Sequence, residues 1–117
     1  MKKQIIRQQV FNKYGGKCAY CGCDLTKLHI DHIIPLRRHL AVGSEKYPKG
    51  ENHIDNYNPC CMSCNSSKGS NDIEYFRKQI EGRHEFMIKY SSEYRSMVKF
   101  NRLTINNEPL KFYFETV

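Results

Sequence analysis

The amino-acid sequence predicts an α+β fold, and three features of the chain carry this prediction. Apolar residues recur at helical spacing over residues 3–14, and two consecutive glycines after them indicate where the helix stops. Residues 28–34 are rich in β-branched side chains and are followed by a proline, a pattern typical of a strand. Two Cys-x2-Cys pairs precede and follow that strand, at Cys18 and Cys21 and at Cys61 and Cys64.

The remaining elements follow from periodicity and from the residues that break it. We expect a short strand near residues 56–60, and then a helix that begins between residues 65 and 72 and is interrupted at Gly82. A second amphipathic helix is expected at 86–98, and a short hairpin at 103–114. The 117 residues fit a single domain, with a core at about 17–80 and a C-terminal extension at 83–117.

The charge of the chain favours a polyanionic partner. The formal net charge is +7, and five of the first 17 residues are lysine or arginine while none is acidic. Such an excess suits nucleic acid, because each phosphate neutralised by a cation releases condensed counterions, although a basic surface can also serve solubility alone. No apolar run reaches the length of a membrane span and no secretory signal follows the charged N-terminus, so we expect a cytoplasmic protein.

The two Cys-x2-Cys pairs have the spacing of zinc knuckles. Each pair lets two thiolates reach one metal ion, and two pairs complete a closed tetrahedron that leaves no position for water. We therefore expect these four cysteines to hold a structural zinc ion whose binding is coupled to folding. Alternatives stay open, because Cys23 or Cys60 could replace a neighbour at a less usual spacing, and the cysteines could also be unliganded or redox-active.

A run of side chains that can do acid–base chemistry lies between the knuckles, His29-Ile30-Asp31-His32-Ile33-Ile34-Pro35. Asn56 stands further on, and the second knuckle leads into Cys64-Asn65-Ser66-Ser67-Lys68. This order, over about residues 17–70, resembles the HNH endonuclease family in a His-Asn-Asn version with zinc knuckles. The resemblance implies a ββα-metal (His-Me finger) core, in which a two-stranded hairpin and one helix surround a divalent cation. An N-terminal helix, C-terminal helices and a short hairpin would flank this core.

The resemblance also assigns roles to individual residues. His32 matches the general base that activates water, and a neutral imidazole suits this task near pH 7. Asp31 and Asn65 match the ligands of the catalytic metal, and Asn56 matches the central asparagine that orients the loop and the histidine. The name-giving pattern has histidine where Asn65 stands. The two ligands here are therefore hard oxygens, which favour Mg²⁺ or Mn²⁺.

Several of these residues also have simpler interpretations. His32 could be a surface histidine of a strand, and Asn65 could be the N-cap of a helix. In a regular strand Asp31 and His32 point to opposite faces, so both reach one phosphate only where the strand ends or bulges. His29 and His53 are further candidates for auxiliary ligands or phosphate contacts.

Contacts to phosphate are expected from cations near the catalytic run. Arg37 and Arg38 begin a long polar loop over residues 36–54, and Lys68 follows the second knuckle. Together with the N-terminal helix, these residues would hold the DNA backbone without reading its sequence.

The function that the resemblance implies is metal-dependent hydrolysis of DNA, which leaves 5′-phosphate and 3′-hydroxyl ends. One such site cuts one strand, so a monomer would nick double-stranded DNA, and a double-strand break would need a homodimer or two events. Small HNH proteins are frequent in phages and mobile elements, which makes a phage origin an expectation. The alternatives are a non-catalytic zinc-ribbon DNA-binding module, a ribonuclease with the same site and a zinc-stapled protein-interaction domain.

Overall fold

A computed structural model describes residues 2–36 and 50–117 of the chain. Its elements in chain order are α1, β1, β2 and α2 to α5, which span Lys2–Asn12, His29–His32, Tyr57–Cys60, Met62–Lys68, Ile73–Glu81, Arg83–Tyr90 and Ser92–Lys99. Short 3-10 turns lie at Ile54–Asn56 and Tyr113–Glu115. The α+β class predicted from the sequence is confirmed. Within the described ranges, no helix is both long and apolar enough to cross a membrane.

β1 and β2 form an antiparallel pair, as the strand-rich segments predict. Asp31 lies opposite Asn58, and both side chains are buried. β1 is shorter than the predicted strand, which extended to Ile34. The backbone N–H groups of Ile33 and Ile34 donate to Asn56 instead of to β2. The strand therefore ends at His32, the condition under which neighbouring side chains can serve one site.

α1 confirms the predicted N-terminal helix and lies against β2, where it buries Val10. Gly15 and Gly16 end it as predicted, with φ angles of +62° and +80°. These angles belong to the left-handed region, in which a residue without Cβ is not penalised. The N–H of Gly16 returns to the carbonyl of Phe11 at 3.0 Å and so satisfies the end of the helix.

The helix predicted from between residues 65 and 72 up to Gly82 is in fact two helices. α3 begins at Ile73, next to the predicted entry, whereas α2 begins earlier, at Met62. Its N-cap is Cys61, whose Sγ accepts from the backbone N–H of Cys64 at 3.4 Å. Cap rules built on serine, threonine, aspartate and asparagine miss a sulfur cap. The helix therefore starts inside the second knuckle, and the same residue serves as a cysteine of the knuckle and as the cap.

The single helix predicted over residues 86–98 is in fact two helices, α4 and α5. Ser91 separates them, because its N–H donates to the carbonyl of Met87 at 2.9 Å and its Oγ accepts from the N–H of Tyr94 at 3.1 Å. One residue thus closes α4 and caps α5. Gly82 interrupts the helical pattern between α3 and α4 as predicted.

The hairpin predicted at residues 103–114 is wrong, since no strand is present in this segment. Its backbone groups have other partners. The N–H groups of Tyr113 and Phe114 donate to the carbonyls of Tyr20 and Ala19, at 3.0 and 2.8 Å. The C-terminal residues are therefore bound to the first knuckle, and a local hairpin would leave those carbonyls without a partner.

The chain divides into two compact units. The first comprises Met1–Ile73 and Lys111–Val117, and the second comprises Glu74–Leu110. The sheet, both knuckles, α1 and α2 belong to the first unit, and so do all the predicted catalytic residues. The second unit holds α4, α5 and nearly all of α3.

Candidate active site and zinc centre

The two knuckles bring four sulfur atoms together. The Sγ atoms of Cys18, Cys21, Cys61 and Cys64 all lie within 4.8 Å of one another. Those of Cys21 and Cys61 are 3.9 Å apart, close to the roughly 3.8 Å that four tetrahedral Zn–S bonds of about 2.3 Å would give. The structure thus assembles the four predicted ligands, and this donor set fits zinc.

The first knuckle turns at Gly22, whose φ angle is +77°. The N–H of Gly22 donates to the carbonyl of Cys18 at 3.0 Å, and the N–H of Cys18 donates to the carbonyl of Cys23 at 2.9 Å. A Cβ at Gly22 would lie 2.8 Å from the ring of Tyr113, so the glycine is required by its neighbour as well as by its backbone angle.

The two remaining cysteines lie beside the cluster without completing it. The thiol of Cys60 donates to the carbonyl of His29 at 3.5 Å, and burial raises its pKa to about 12, so it remains a neutral thiol. Hydrogen bonding to Cys21 raises the pKa of the exposed Cys23 to about 12 as well. Within the cluster, the hydrogen bond between the sulfur atoms of Cys18 and Cys64 lowers the pKa of Cys18 to about 4 and raises the pKa of Cys64.

The carboxylate of Asp31 is buried, with 4% of its surface exposed. Both of its oxygens lie 3.1 Å from the Nζ of Lys68 in α2, and Oδ2 accepts a hydrogen bond from the hydroxyl of Tyr20. Burial raises the pKa of the Asp31 carboxyl, and the Tyr20 hydroxyl and the Lys68 ammonium oppose that rise. Asp31 is therefore a buried anion paired with the Lys68 ammonium, and its role as a metal ligand stays a prediction.

This arrangement gives Lys68 a partner that the sequence did not indicate. Its side chain has no exposed surface, and its Nζ also donates to the carbonyl of His32 at 2.9 Å. Lys68 would have to leave Asp31 to reach a phosphate, so its predicted phosphate contact stays a prediction. Arg37 and Arg38, the other predicted phosphate contacts, lie outside the described residues.

The imidazole of His32 is oriented by two neighbours. Its Nε2 lies 2.9 Å from the Oδ1 of Asn52, and its ring meets the ring of Tyr57 edge-on at a centroid distance of 5.2 Å. An amide oxygen can only accept, so this contact places the ring proton on Nε2 and leaves the lone pair of Nδ1 available. Sequence reasoning missed Asn52, because no spacing rule links it to His32.

Asn56 ties together the two ends of the loop that follows β1. Its Oδ1 accepts from the N–H of Ile34 at 2.8 Å, and its Nδ2 donates to the carbonyls of Ile34 and Glu51, both at 3.0 Å. Gly50 makes this approach possible, since a Cβ there would lie 1.7 Å from the carbonyl oxygen of Ile34. The geometry is that of a loop-orienting residue, the role expected for Asn56, while its effect on catalysis stays a prediction.

Asn65 lies within α2, and its backbone N–H donates to the carbonyl of Cys61 at 3.0 Å. The N-cap is Cys61, so the alternative interpretation of Asn65 as the cap does not apply. Asn65 precedes Lys68 by three residues, which places both on one face of the helix. Lys68 reaches Asp31 from that face, while the role of Asn65 as a ligand of the catalytic metal stays a prediction.

The other predicted candidates have mixed surroundings. The Nε2 of His29 is buried and has no hydrogen-bond partner among the described residues, and His53 accepts from the N–H of Asp55 at 3.2 Å as the cap of a 3-10 turn.

Three N-terminal cations are bound to the protein itself: Arg7 to Leu28, Lys13 to Tyr57 and Asn58, and Lys17 to Asp24. Lys2 and Lys3 are exposed.

The antiparallel pair of β1 and β2, followed directly by α2, forms the ββα arrangement that the sequence predicts for the core. Residues 18–71 match the family of HNH endonucleases, and this segment of the chain belongs to that family. The family predicted from the motif is therefore confirmed. The matched residues include both knuckles, β1, β2 and α2.

A likeness to a solved structure extends further along the chain. The crystal structure of the Type II-C Cas9 enzyme from Actinomyces naeslundii resembles this chain with a TM-score of 0.53 and 20% identity, over 84% of this chain and 10% of that one. The chain thus spans about a tenth of the length of that protein, and the likeness shows a common fold. None of the curated protein sequences matches this chain.

Proposed function

We propose that this protein is a metal-dependent endonuclease that nicks double-stranded DNA. The observation that carries the proposal is the end of β1, where the candidate base His32 and the candidate ligand Asp31 are neighbours held by separate partners. Asn52 orients the imidazole, while Tyr20 and Lys68 hold the carboxylate. Base and ligand therefore have fixed and distinct positions within a domain of the HNH family.

Hydrolysis then begins at the imidazole. With its Nε2 proton donated to Asn52, His32 accepts a proton from water at Nδ1. The oxygen of that water forms a bond to the scissile phosphorus as the bond to the 3′ oxygen breaks, and the departing oxygen takes up a proton from solvent. The products are a 5′-phosphate and a 3′-hydroxyl.

Asp31 and Asn65 are the proposed ligands of the catalytic cation. A carboxylate and an amide carbonyl are hard oxygen donors, which favours Mg²⁺ or Mn²⁺. When bound, such a cation stabilises the negative charge that develops on the phosphorus oxygens and on the leaving group. Lys68 must release at least one oxygen of Asp31 to make room, since both oxygens lie 3.1 Å from its Nζ.

The four-cysteine cluster is proposed to hold a structural zinc ion. All four coordination positions would be filled by sulfur, so the ion would have no place for water or phosphate. Its effect is on the fold, because the cluster joins the first knuckle to the start of α2, which carries Asn65 and Lys68.

DNA is the proposed substrate because the domain belongs to a nuclease family and the chain carries a net charge of +7. The exposed Lys2 and Lys3, together with Arg37 and Arg38, are the proposed contacts to the sugar–phosphate backbone. Contacts of this kind lose affinity steeply with salt, so binding should weaken between about 50 and 200 mM salt.

A supercoiled plasmid tests the proposal directly. Wild-type protein, His32→Ala and His84→Ala are incubated with the plasmid in Mg²⁺, Mn²⁺ or EDTA, and DNA binding is followed in parallel by gel shift. We expect open-circular product with either cation and none in EDTA. His32→Ala should lose cleavage by about 100-fold or more while it still binds DNA. His84→Ala is the matched control, since it removes an imidazole of α4, outside the unit that holds the predicted catalytic residues, and should cut normally.

Other outcomes distinguish the alternatives. Full activity of His32→Ala would contradict the mechanism. Linear product at early times would indicate paired sites instead of a nicking monomer. DNA binding without cleavage in any cation would favour a zinc-ribbon binding module, and cleavage of an RNA substrate in preference to DNA would favour a ribonuclease.

A further inference from the structure

The residue between the two cysteines of the first knuckle reaches the proposed catalytic centre. Tyr20 lies between Cys18 and Cys21, and only 4% of its surface is exposed. Its hydroxyl donates to the Oδ2 of Asp31 at 2.5 Å, across 11 positions of the chain. A side chain of the zinc knuckle thus touches the proposed ligand of the other metal.

Among the described residues, two hydrogen bonds meet at this hydroxyl, and both point toward the carboxylate. Lys13 donates from Nζ to the Oδ1 of Asn58 at 3.0 Å, so the Nδ2 of Asn58 is the end of the amide that faces Tyr20. That Nδ2 donates to the hydroxyl oxygen of Tyr20 at 3.3 Å. The hydroxyl can then only donate onward to Asp31, and each donor polarises the next one.

Both the ring and the backbone of Tyr20 are held in place by their neighbours. Phe112 and Phe114 of the C-terminal segment meet it edge-on, at centroid distances of 5.3 and 6.1 Å. The carbonyl of Tyr20 accepts from the N–H of Tyr113 at 3.0 Å, and the N–H of its neighbour Ala19 donates to Pro59 in β2 at 2.8 Å. The hydroxyl therefore has little freedom to follow Asp31 if the carboxylate turns.

We propose that Tyr20 is a positioning residue for the catalytic cation: it fixes the carboxylate of Asp31 from the zinc knuckle, so that the knuckle sets the geometry of the second metal site. This inference rests on the proposed function, because it takes Asp31 to be the cation ligand. Partners that orient a ligand carboxylate without touching the metal typically change metal affinity by about 10- to 100-fold when removed. Tyr20 does not contact the reacting atoms and carries no proton in the reaction.

Tyr20→Phe tests the proposal, because it removes the hydroxyl and keeps the ring between the two phenylalanines. Tyr113→Phe is the matched control, since it removes a hydroxyl from another tyrosine packed on the same knuckle, at Gly22. Binding of Mn²⁺ to the zinc-loaded proteins is measured by the loss of the free-ion electron paramagnetic resonance signal. Asp31→Ala serves as the reference without the site.

We expect Tyr20→Phe to keep its zinc and to bind Mn²⁺ about 10- to 100-fold more weakly than wild type. The Mn²⁺ concentration for half-maximal cleavage should rise by the same factor, while the rate at saturating Mn²⁺ stays near that of wild type. Tyr113→Phe should match wild type in all four quantities. Should Tyr20→Phe fail to fold, Phe114→Leu, which loosens the ring but keeps the hydroxyl, should shift Mn²⁺ affinity in the same direction.

Wild-type Mn²⁺ affinity in folded Tyr20→Phe, or in Phe114→Leu where Tyr20→Phe does not fold, would overturn the inference and leave the proposed nuclease intact. Wild-type protein that bound Mn²⁺ no better than Asp31→Ala would overturn both, because Asp31 would then not be the ligand. A lower rate at saturating Mn²⁺ with unchanged Mn²⁺ affinity would also contradict a positioning role through the cation.

Discussion

The Nζ of Lys68 lies 3.1 Å from both carboxylate oxygens of Asp31, and neither side chain is accessible to water to any large extent. An ion pair withdrawn from water gains strongly from its attraction, but each partner has also lost its hydration. Asp31 is therefore stable as a buried anion only while a cation stays next to it. In the absence of a metal ion, Lys68 is that cation.

Replacement of Lys68 by methionine, a side chain of similar length, should destabilise the metal-free protein. The change leaves the Asp31 carboxylate buried with no cation beside it, a situation that costs about 3–5 kcal/mol. Urea or thermal unfolding of the zinc-loaded protein measures this loss. Lys78→Met, at an exposed position of α3, is the control and should change the free energy of unfolding by less than about 0.5 kcal/mol.

Mn²⁺ should stabilise Lys68→Met more than it stabilises wild type, because the ion no longer competes with an ammonium group for Asp31. Stabilisation by a ligand grows with its affinity for the folded state, so the difference appears as a larger rise in Tm at the same Mn²⁺ concentration. An equal rise in both proteins would mean that Lys68 and the cation do not share the carboxylate.

Asn52→Ala should reduce the cleavage rate while it leaves the fold intact, because the exposed amide acts on the imidazole of His32. Without the acceptor, the ring can rotate or carry its proton on the other nitrogen, and either change removes the lone pair that faces water. We expect kcat to fall by about 10- to 100-fold, less than the loss of the base itself. Plasmid nicking at saturating cation measures it.

Asn52→Asp is the informative companion, since it keeps an oxygen that accepts from Nε2 and should retain more activity than Asn52→Ala. Equal activity of Asn52→Ala and wild type would show that the contact at 2.9 Å does not orient the base.

The sequence predicted those parts of the site that depend on short spacing. A Cys-x2-Cys pair, an Asp-His pair before a proline and an Asn-x-x-Lys helix are local patterns. The structure brings the four cysteines of the first pattern together, while the catalytic roles that the other two predict stay predictions. The supporting partners of the site are different. Tyr20 and Asp31 are 11 positions apart, and Asn58 and Tyr20 are 38 apart. No periodicity links such residues, since only tertiary packing brings them together.

The burial of Lys68 also depends on tertiary packing and could not be predicted from local patterns. The place of Lys68 after the second knuckle predicts a contact with phosphate, yet its side chain is fully buried against Asp31. The local sequence is the same whether the Lys68 side chain is exposed or buried, because its burial depends on the packing of α2 against β1. The wrong C-terminal hairpin has a related cause, as the strand-like residues Tyr113 and Phe114 bind the carbonyls of the first knuckle instead of each other.

The four-cysteine cluster leads to a prediction that separates ligands from neighbours. Purified protein should contain about one zinc ion per chain and resist mild chelation, because a closed tetrahedron of thiolates binds zinc as part of folding. Cys61→Ser should lose zinc and cooperative unfolding, since Cys61 is both a proposed ligand and the sulfur cap of α2. Cys23→Ser and Cys60→Ala are the controls, one exposed and one buried, and both should keep their zinc as measured by elemental analysis. Loss of zinc from either control, with retention in Cys61→Ser, would reassign the ligands to the neighbouring cysteines.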